Sequence, residues 1–221
     1  MKSIRSLSAA VCVAALAWST AVSAEVINNT AVVSTASPFG APDTATYGQT
    51  FTVGTDNVLN GFSLFLNGRV GSSLDLRGYV AGWDGNKATS ILYTSTTRTA
   101  TATSGMQEFA FDTGALALTA GAQYVLFLSV SELAAQADSV YDMPITGNNY
   151  GGGHFVYFNN GVNFSALTSS QWDCSTDCFG ADAAFRATLT SSADVPEPAS
   201  LALLSLSLLG LAGSRAGRRK D

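Results

Sequence analysis

Histidine occurs once in the 221 residues, as His154, and that scarcity removes several chemistries at the outset. A His-x-x-x-His zinc protease is excluded, as is any site built on two imidazoles. A Ser-His-Asp triad stays formally open, but the Gly-x-Ser-x-Gly elbow is missing. Gly61-Phe62-Ser63-Leu64-Phe65 lacks the last glycine and sits in a strand-like run. Charge is scarce too, at 12% of residues, and there are only three cysteines. So little charge, together with 21 glycines and plentiful Ser and Thr, fits neither a helical bundle nor a disordered acidic chain. It fits an all-β domain with many turns.

Basic residues are nearly absent from the middle of the chain. Lys2 and Arg5 lie near the start, and Arg215, Arg218, Arg219 and Lys220 near the end. Between residues 25 and 198, Arg69, Arg77, Lys87, Arg98 and Arg186 face fifteen acidic side chains, a formal −10 against −5 for the whole chain. Such a surface repels phosphate backbones and anionic lipid, which argues against nucleic acid as a partner.

The two ends read as addresses. Lys2 and Arg5, an apolar run over 7–18 and the small residues Val22-Ser23-Ala24 form a signal peptide over 1–24, with cleavage by signal peptidase before Glu25. At the other end stand Val195-Pro196-Glu197-Pro198, an apolar stretch over 199–213, and the basic stop signal Arg215, Arg218, Arg219 and Lys220. As a helix the apolar stretch is about 22 Å long at ~1.5 Å per residue. A hydrocarbon core of ~30 Å therefore requires snorkelling or local thinning around this transmembrane helix. The basic cluster marks the cytoplasmic end, and Pro196 and Pro198 hold the strip before it extended.

That order of parts resembles the PEP-CTERM sorting signal of Gram-negative bacteria, over residues 195–221. The resemblance implies processing by exosortase, a membrane protease-transpeptidase, with Val195, Pro196, Glu197 and Pro198 as the sorting motif on which it acts. It implies transient residence in the inner membrane and a final place in the envelope, at the cell surface or outside the cell. It further suggests a role in an extracellular polysaccharide matrix.

Between the ends, strand-like runs recur at 26–33, 47–53, 58–66, 74–83, 90–94, 106–111, 123–130, 154–158 and 184–190. Several alternate with period two, so that Phe109 and Phe111 share one face while Glu108 and Asp112 share the other. Leu74, Leu76 and Val80 likewise oppose Asp75, Arg77 and Tyr79. The run over 123–130 is nearly all apolar and is expected to be central and covered on both faces. Turn signals at Asn67-Gly68, Asp84-Gly85-Asn86 and Asn160-Gly161 separate the runs. The pattern fails over 131–153, where 132–138 has the propensity for a helical turn or two and 148–153 reads as a connector. The expected fold is a two-sheet, jelly-roll-like β-sandwich over 25–191, followed by the sorting signal over 192–221. The stretch 47–131 resembles the sandwich domains that PEP-CTERM proteins carry. The similarity rests on Tyr47-Gly48-Gln49-Thr50-Phe51, Gly82-Trp83-Asp84-Gly85 and Leu118-Thr119-Ala120-Gly121-Ala122-Gln123-Tyr124-Val125. It implies the sandwich and no particular activity.

Cys12 leaves with the leader, so export leaves Cys174 and Cys178 as a pair that reads as a disulfide. A straight strand would separate their Cα atoms by ~13 Å, beyond the ~4.4–6.8 Å a disulfide spans, so the chain must turn between them. A zinc site using both thiolates and His154 is the rival. For a glycosidase, Glu108 and Asp112 lie about 13 Å apart along one strand, wider than the ~5–9.5 Å such a pair needs. A hydrolase using His154 is the remaining enzymatic alternative to a non-enzymatic protein. Carbohydrate binding is the more credible site chemistry, through aromatic rings beside carboxamides and carboxylates. The candidate ligand-binding residues are Trp83 with Asp84, Tyr150 with its neighbouring asparagines, Tyr157 and Trp172. No cofactor or metal is expected, with calcium at Asp173, Asp177 and Asp182 as the alternative.

Overall fold

A computed structural model describes residues 24–40, 44–68, 73–101, 105–133, 141–173 and 181–192. Twelve strands and one short helix occur among them: β1 (Glu25–Asn29), β2 (Ser34–Phe39), β3 (Thr46–Thr52), β4 (Val58–Gly68), β5 (Ser73–Trp83), β6 (Ala88–Thr94), β7 (Arg98–Thr101), β8 (Met106–Ala117), β9 (Gln123–Ser129), β10 (Tyr141–Ile145), β11 (Phe155–Phe158), α1 (Ala166–Ser169) and β12 (Phe185–Thr190). The signal peptide, the apolar stretch 199–213 and the sorting motif fall outside the described residues. Among the described residues no helix is long and apolar enough to cross a membrane.

The strands form two antiparallel sheets. In the first, β4 is the spine. Leu64 pairs with Phe109 of β8 on one side and with Phe185 of β12 on the other. β1 extends the sheet beyond β12, while β10 and β2 continue it past Asn67 and Gly68. The spatial order is thus β8-β4-β12-β1. The second sheet runs β11-β3-β9-β5-β6, with β7 pairing the start of β5. β9 is central, as its apolar composition predicts, and its residues after Gln123 are buried.

Alternation explains the core between the sheets. Phe109 and Phe111 of β8, Leu64 and Leu66 of β4, Leu74, Leu76 and Val80 of β5, and Phe185 and Leu189 of β12 all point into one cluster. Glu108 and Asp112 stay exposed on the opposite face. Each large apolar side chain so enclosed contributes about 1.5–3 kcal/mol relative to exposure.

A second cluster departs from the one-wet-face pattern. Tyr79, Ala81 and Trp83 of β5, with Val125 and Phe127 of β9, face away from the main core yet are buried. Their cover is the stretch 159–173, which brings Phe164, Leu167 and Trp172 across the sheet. The stretch expected to leave the sandwich, 131–153, instead begins with a turn at 131–133 and supplies β10. Most of the predicted helical turn there lies outside the described residues.

Candidate functional site

One end of the sandwich gathers polar groups from three separate parts of the chain. β1 closes on Asn28 and Asn29, which pair in register with Arg186 and Phe185 of β12. The chain then turns through Thr30 and Ala31, opposite the turn carrying Asn149 and Tyr150. Between them lies a cavity of about 670 Å³, lined by residues 27–31 with Asn149 and Tyr150. The Asn28 Oδ1 accepts from the Thr30 hydroxyl at 3.2 Å and from the Arg186 Nε at 3.1 Å. Asn29 is 8% exposed, and its Nδ2 is buried with no hydrogen-bond partner. The Tyr150 ring packs edge-on to Phe185 at 5.1 Å. Burial pushes the Tyr150 hydroxyl above its ordinary pKa; a Thr52 backbone hydrogen bond opposes that, and the Glu25 and Asp182 charges reinforce it.

Behind the cavity a buried polar latch holds the Asn149–Tyr150 turn. Gln49 and Asp182 are both fully enclosed, so their polar atoms must be paired within the protein. The Gln49 Nε2 donates to Asp182 Oδ1 at 3.0 Å and to the Thr50 carbonyl at 3.1 Å. Its Oε1 accepts the Ala183 N–H at 2.7 Å. The other Asp182 oxygen accepts the N–H groups of Asn149 at 3.0 Å and Tyr150 at 2.8 Å. The side chain of Asn149 donates to the Thr146 carbonyl at 3.3 Å. Three segments far apart in sequence are tied together by one carboxylate.

His154 borders this latch. Its backbone N–H donates to the Thr50 hydroxyl at 2.9 Å, and its carbonyl accepts the Thr50 N–H at 2.9 Å. The ring Nδ1 lies 3.5 Å from the same hydroxyl, while Nε2 is buried and unpartnered. Burial pulls the imidazole below its ordinary pKa, and the Asp182 charge works against that shift. Such tight docking needs Gly153, where a Cβ would collide with the Thr50 carbonyl oxygen.

The remaining candidates are scattered. Trp83 and Trp172 are buried and meet edge-to-face at 5.5 Å, which removes them as exposed platforms for a sugar ring. Trp172 also donates its Nε1–H to the Leu167 carbonyl at 2.8 Å, whereas the Trp83 Nε1 has no partner. Asp84 is exposed and caps its own turn, accepting the Asn86 and Lys87 N–H groups at 2.9 Å, and those bonds lower its pKa. Tyr157 is half-buried and packs against Tyr47 and Phe155. Glu108 forms an ion pair with Arg186 at 2.8 Å. Of the calcium candidates, Asp182 is the latch, Asp173 is exposed on the cover, and Asp177 lies outside the described residues, as do Cys174 and Cys178. Among the described residues no group of three or more His, Cys, Asp or Glu side chains could hold a metal ion.

Of the residues singled out for ligand binding, Tyr150 and its neighbour Asn149 line the cavity. The sequence reasoning passed over Asn28, Asn29 and Thr30, which it absorbed into a strand, and Gln49. An Asn-Asn-Thr run closing an apolar strand is the signal that could have found the cavity wall.

The described residues are thus a two-sheet β-sandwich with a polar cavity between residues 27–31 and 149–150. The chain's address is more specific: residues 194–220 match the family described as the PEP-CTERM protein-sorting motif. No curated protein and no solved structure matches the chain. The motif makes this an exosortase-processed protein exported to the cell envelope or surface.

Proposed function

We propose that this is a non-enzymatic, carbohydrate-associated component of the cell envelope or extracellular polysaccharide matrix. In this reading signal peptidase removes residues 1–24, residues 25–191 form the working domain, and 192–221 deliver it. The helix over 199–213 resides briefly in the inner membrane, exosortase acts at Val195, Pro196, Glu197 and Pro198, and Arg215, Arg218, Arg219 and Lys220 remain cytoplasmic until then. Cys174 and Cys178 form a disulfide once exported, which contributes about 2 kcal/mol for so short a loop. The fold is a jelly roll. The orders β1-β12-β4-β8 and β3-β9-β5-β6 in two facing sheets support this, because they interleave two Greek keys as that architecture does.

The observation that carries the proposal is the sorting motif on a sandwich whose polar cavity is walled by carboxamides, a hydroxyl and a tyrosine. A hydrolase using His154 is less well supported, since its Nε2 is buried and a general base must reach the proton it takes. The processed protein should co-sediment with the extracellular polysaccharide of its own host. Complete recovery in the supernatant would overturn the carbohydrate association. Hydrolysis of that polysaccharide, lost in His154→Ala, would restore the enzymatic alternative.

A further inference from the structure

We infer that the cavity between residues 27–31 and the Asn149–Tyr150 turn is a binding site for an uncharged saccharide unit, an inference that rests on the carbohydrate association proposed above. Its volume of about 670 Å³ falls within the ~300–1,000 Å³ of small-molecule sites. Its wall carries three asparagines, a threonine and a tyrosine, with Ile27 and Ala31 as the apolar part. Carboxamides suit sugar hydroxyls because each presents two donors and an acceptor at once. Among the described residues no carboxylate, ammonium or guanidinium lines it.

Two details give the wall a direction. The Asn28 oxygen is already engaged by Thr30 and Arg186, so its amide group supplies donors. The Asn29 Nδ2 is enclosed, so Asn29 shapes the wall without offering that nitrogen to a ligand. The facing wall is set before binding, because Asp182 fixes the backbone of both Asn149 and Tyr150 from behind. Preorganisation of this kind reduces the entropic cost of binding. Charge narrows the ligand class: residues 25–191, at −8, repel uronate and sulfate polymers, which favours neutral sugars over anionic ones.

The test uses the processed protein from its host and a panel of dextran, mannan, galactan and alginate. Affinity electrophoresis should show retardation by at least one neutral polymer and none by alginate. Asn28→Ala and Asn149→Ala should each weaken that binding at least tenfold. Asn60→Ala, in the shallow trough on the outer face of β4, should leave it unchanged. Amide chemical-shift changes on adding the neutral oligosaccharide should centre on residues 27–31 and 149–150, which decides the matter should a variant fail to fold. Binding of no neutral polymer, preference for alginate, or shifts that spare these residues would overturn the site. Co-sedimentation with host polysaccharide together with any of those results would remove the site and leave the broader proposal standing. Loss of both would remove both.

Discussion

The two buried tryptophans test the packing argument residue by residue. Trp172 makes a hydrogen bond from its Nε1 and packs against Phe127 at 5.3 Å, while Trp83 encloses an Nε1–H with no partner. Substituting each with phenylalanine keeps the aromatic body and removes the N–H. Trp172→Phe should cost more than Trp83→Phe by roughly 1 kcal/mol, because only the former loses a made hydrogen bond. Urea denaturation of the two variants measures the difference, and equal costs would contradict the assignment. His154 supplies a pH-dependent term. Burial holds its folded pKa below the ordinary 6.5, so the unfolded chain takes up the proton first as pH falls. Its contribution to stability is complete above pH 6.5 and is lost as pH drops from there toward the folded value. The melting temperature should decline across that window, and His154→Gln should flatten the decline relative to wild type.

At the scale of elements, Asp182 links β3, the Asn149–Tyr150 turn and the approach to β12. Asp182→Asn replaces an acceptor oxygen with an N–H₂ group among N–H donors. That leaves at least one buried donor unpaired, at a cost on the order of 1–3 kcal/mol. Hydrogen exchange should quicken first at the amides of Asn149 and Tyr150; uniform acceleration across both sheets would contradict a local latch. The latch was not legible in the sequence, since Gln49 and Asp182 are 133 positions apart and nothing local pairs them. β4, β5, β8 and β9 were legible because alternation or continuous apolarity marks them directly. β2, β7 and β10 were not. Ser34-Thr35-Ala36-Ser37-Pro38-Phe39 and Arg98-Thr99-Ala100-Thr101 offer almost no apolar stripe, and β10 carries a proline, which propensity assigns to edges and loops. The second cluster was hidden for a related reason. Tyr79 and Trp83 read as the outer face of β5, and only the return of the chain through Phe164, Leu167 and Trp172 makes that face dry.

Over the whole molecule, information is unevenly placed. The address was fully readable because its parts are contiguous: a Pro-Glu-Pro strip, an apolar run and a basic end within residues 194–220. The candidate site was readable only at Asn149 and Tyr150, because its walls come from residues 27–31 and 149–150 and meet through folding alone. Export explains the composition of the domain. An acidic, lysine-poor sandwich repels anionic polymers outside the cell, in keeping with the neutral ligand proposed for its cavity. All of that depends on delivery. The most direct test replaces Pro196, Glu197 and Pro198 together with alanine and fractionates the host cells. The protein should accumulate uncleaved in the inner membrane and disappear from the surface and medium; an unchanged distribution would contradict sorting by this motif.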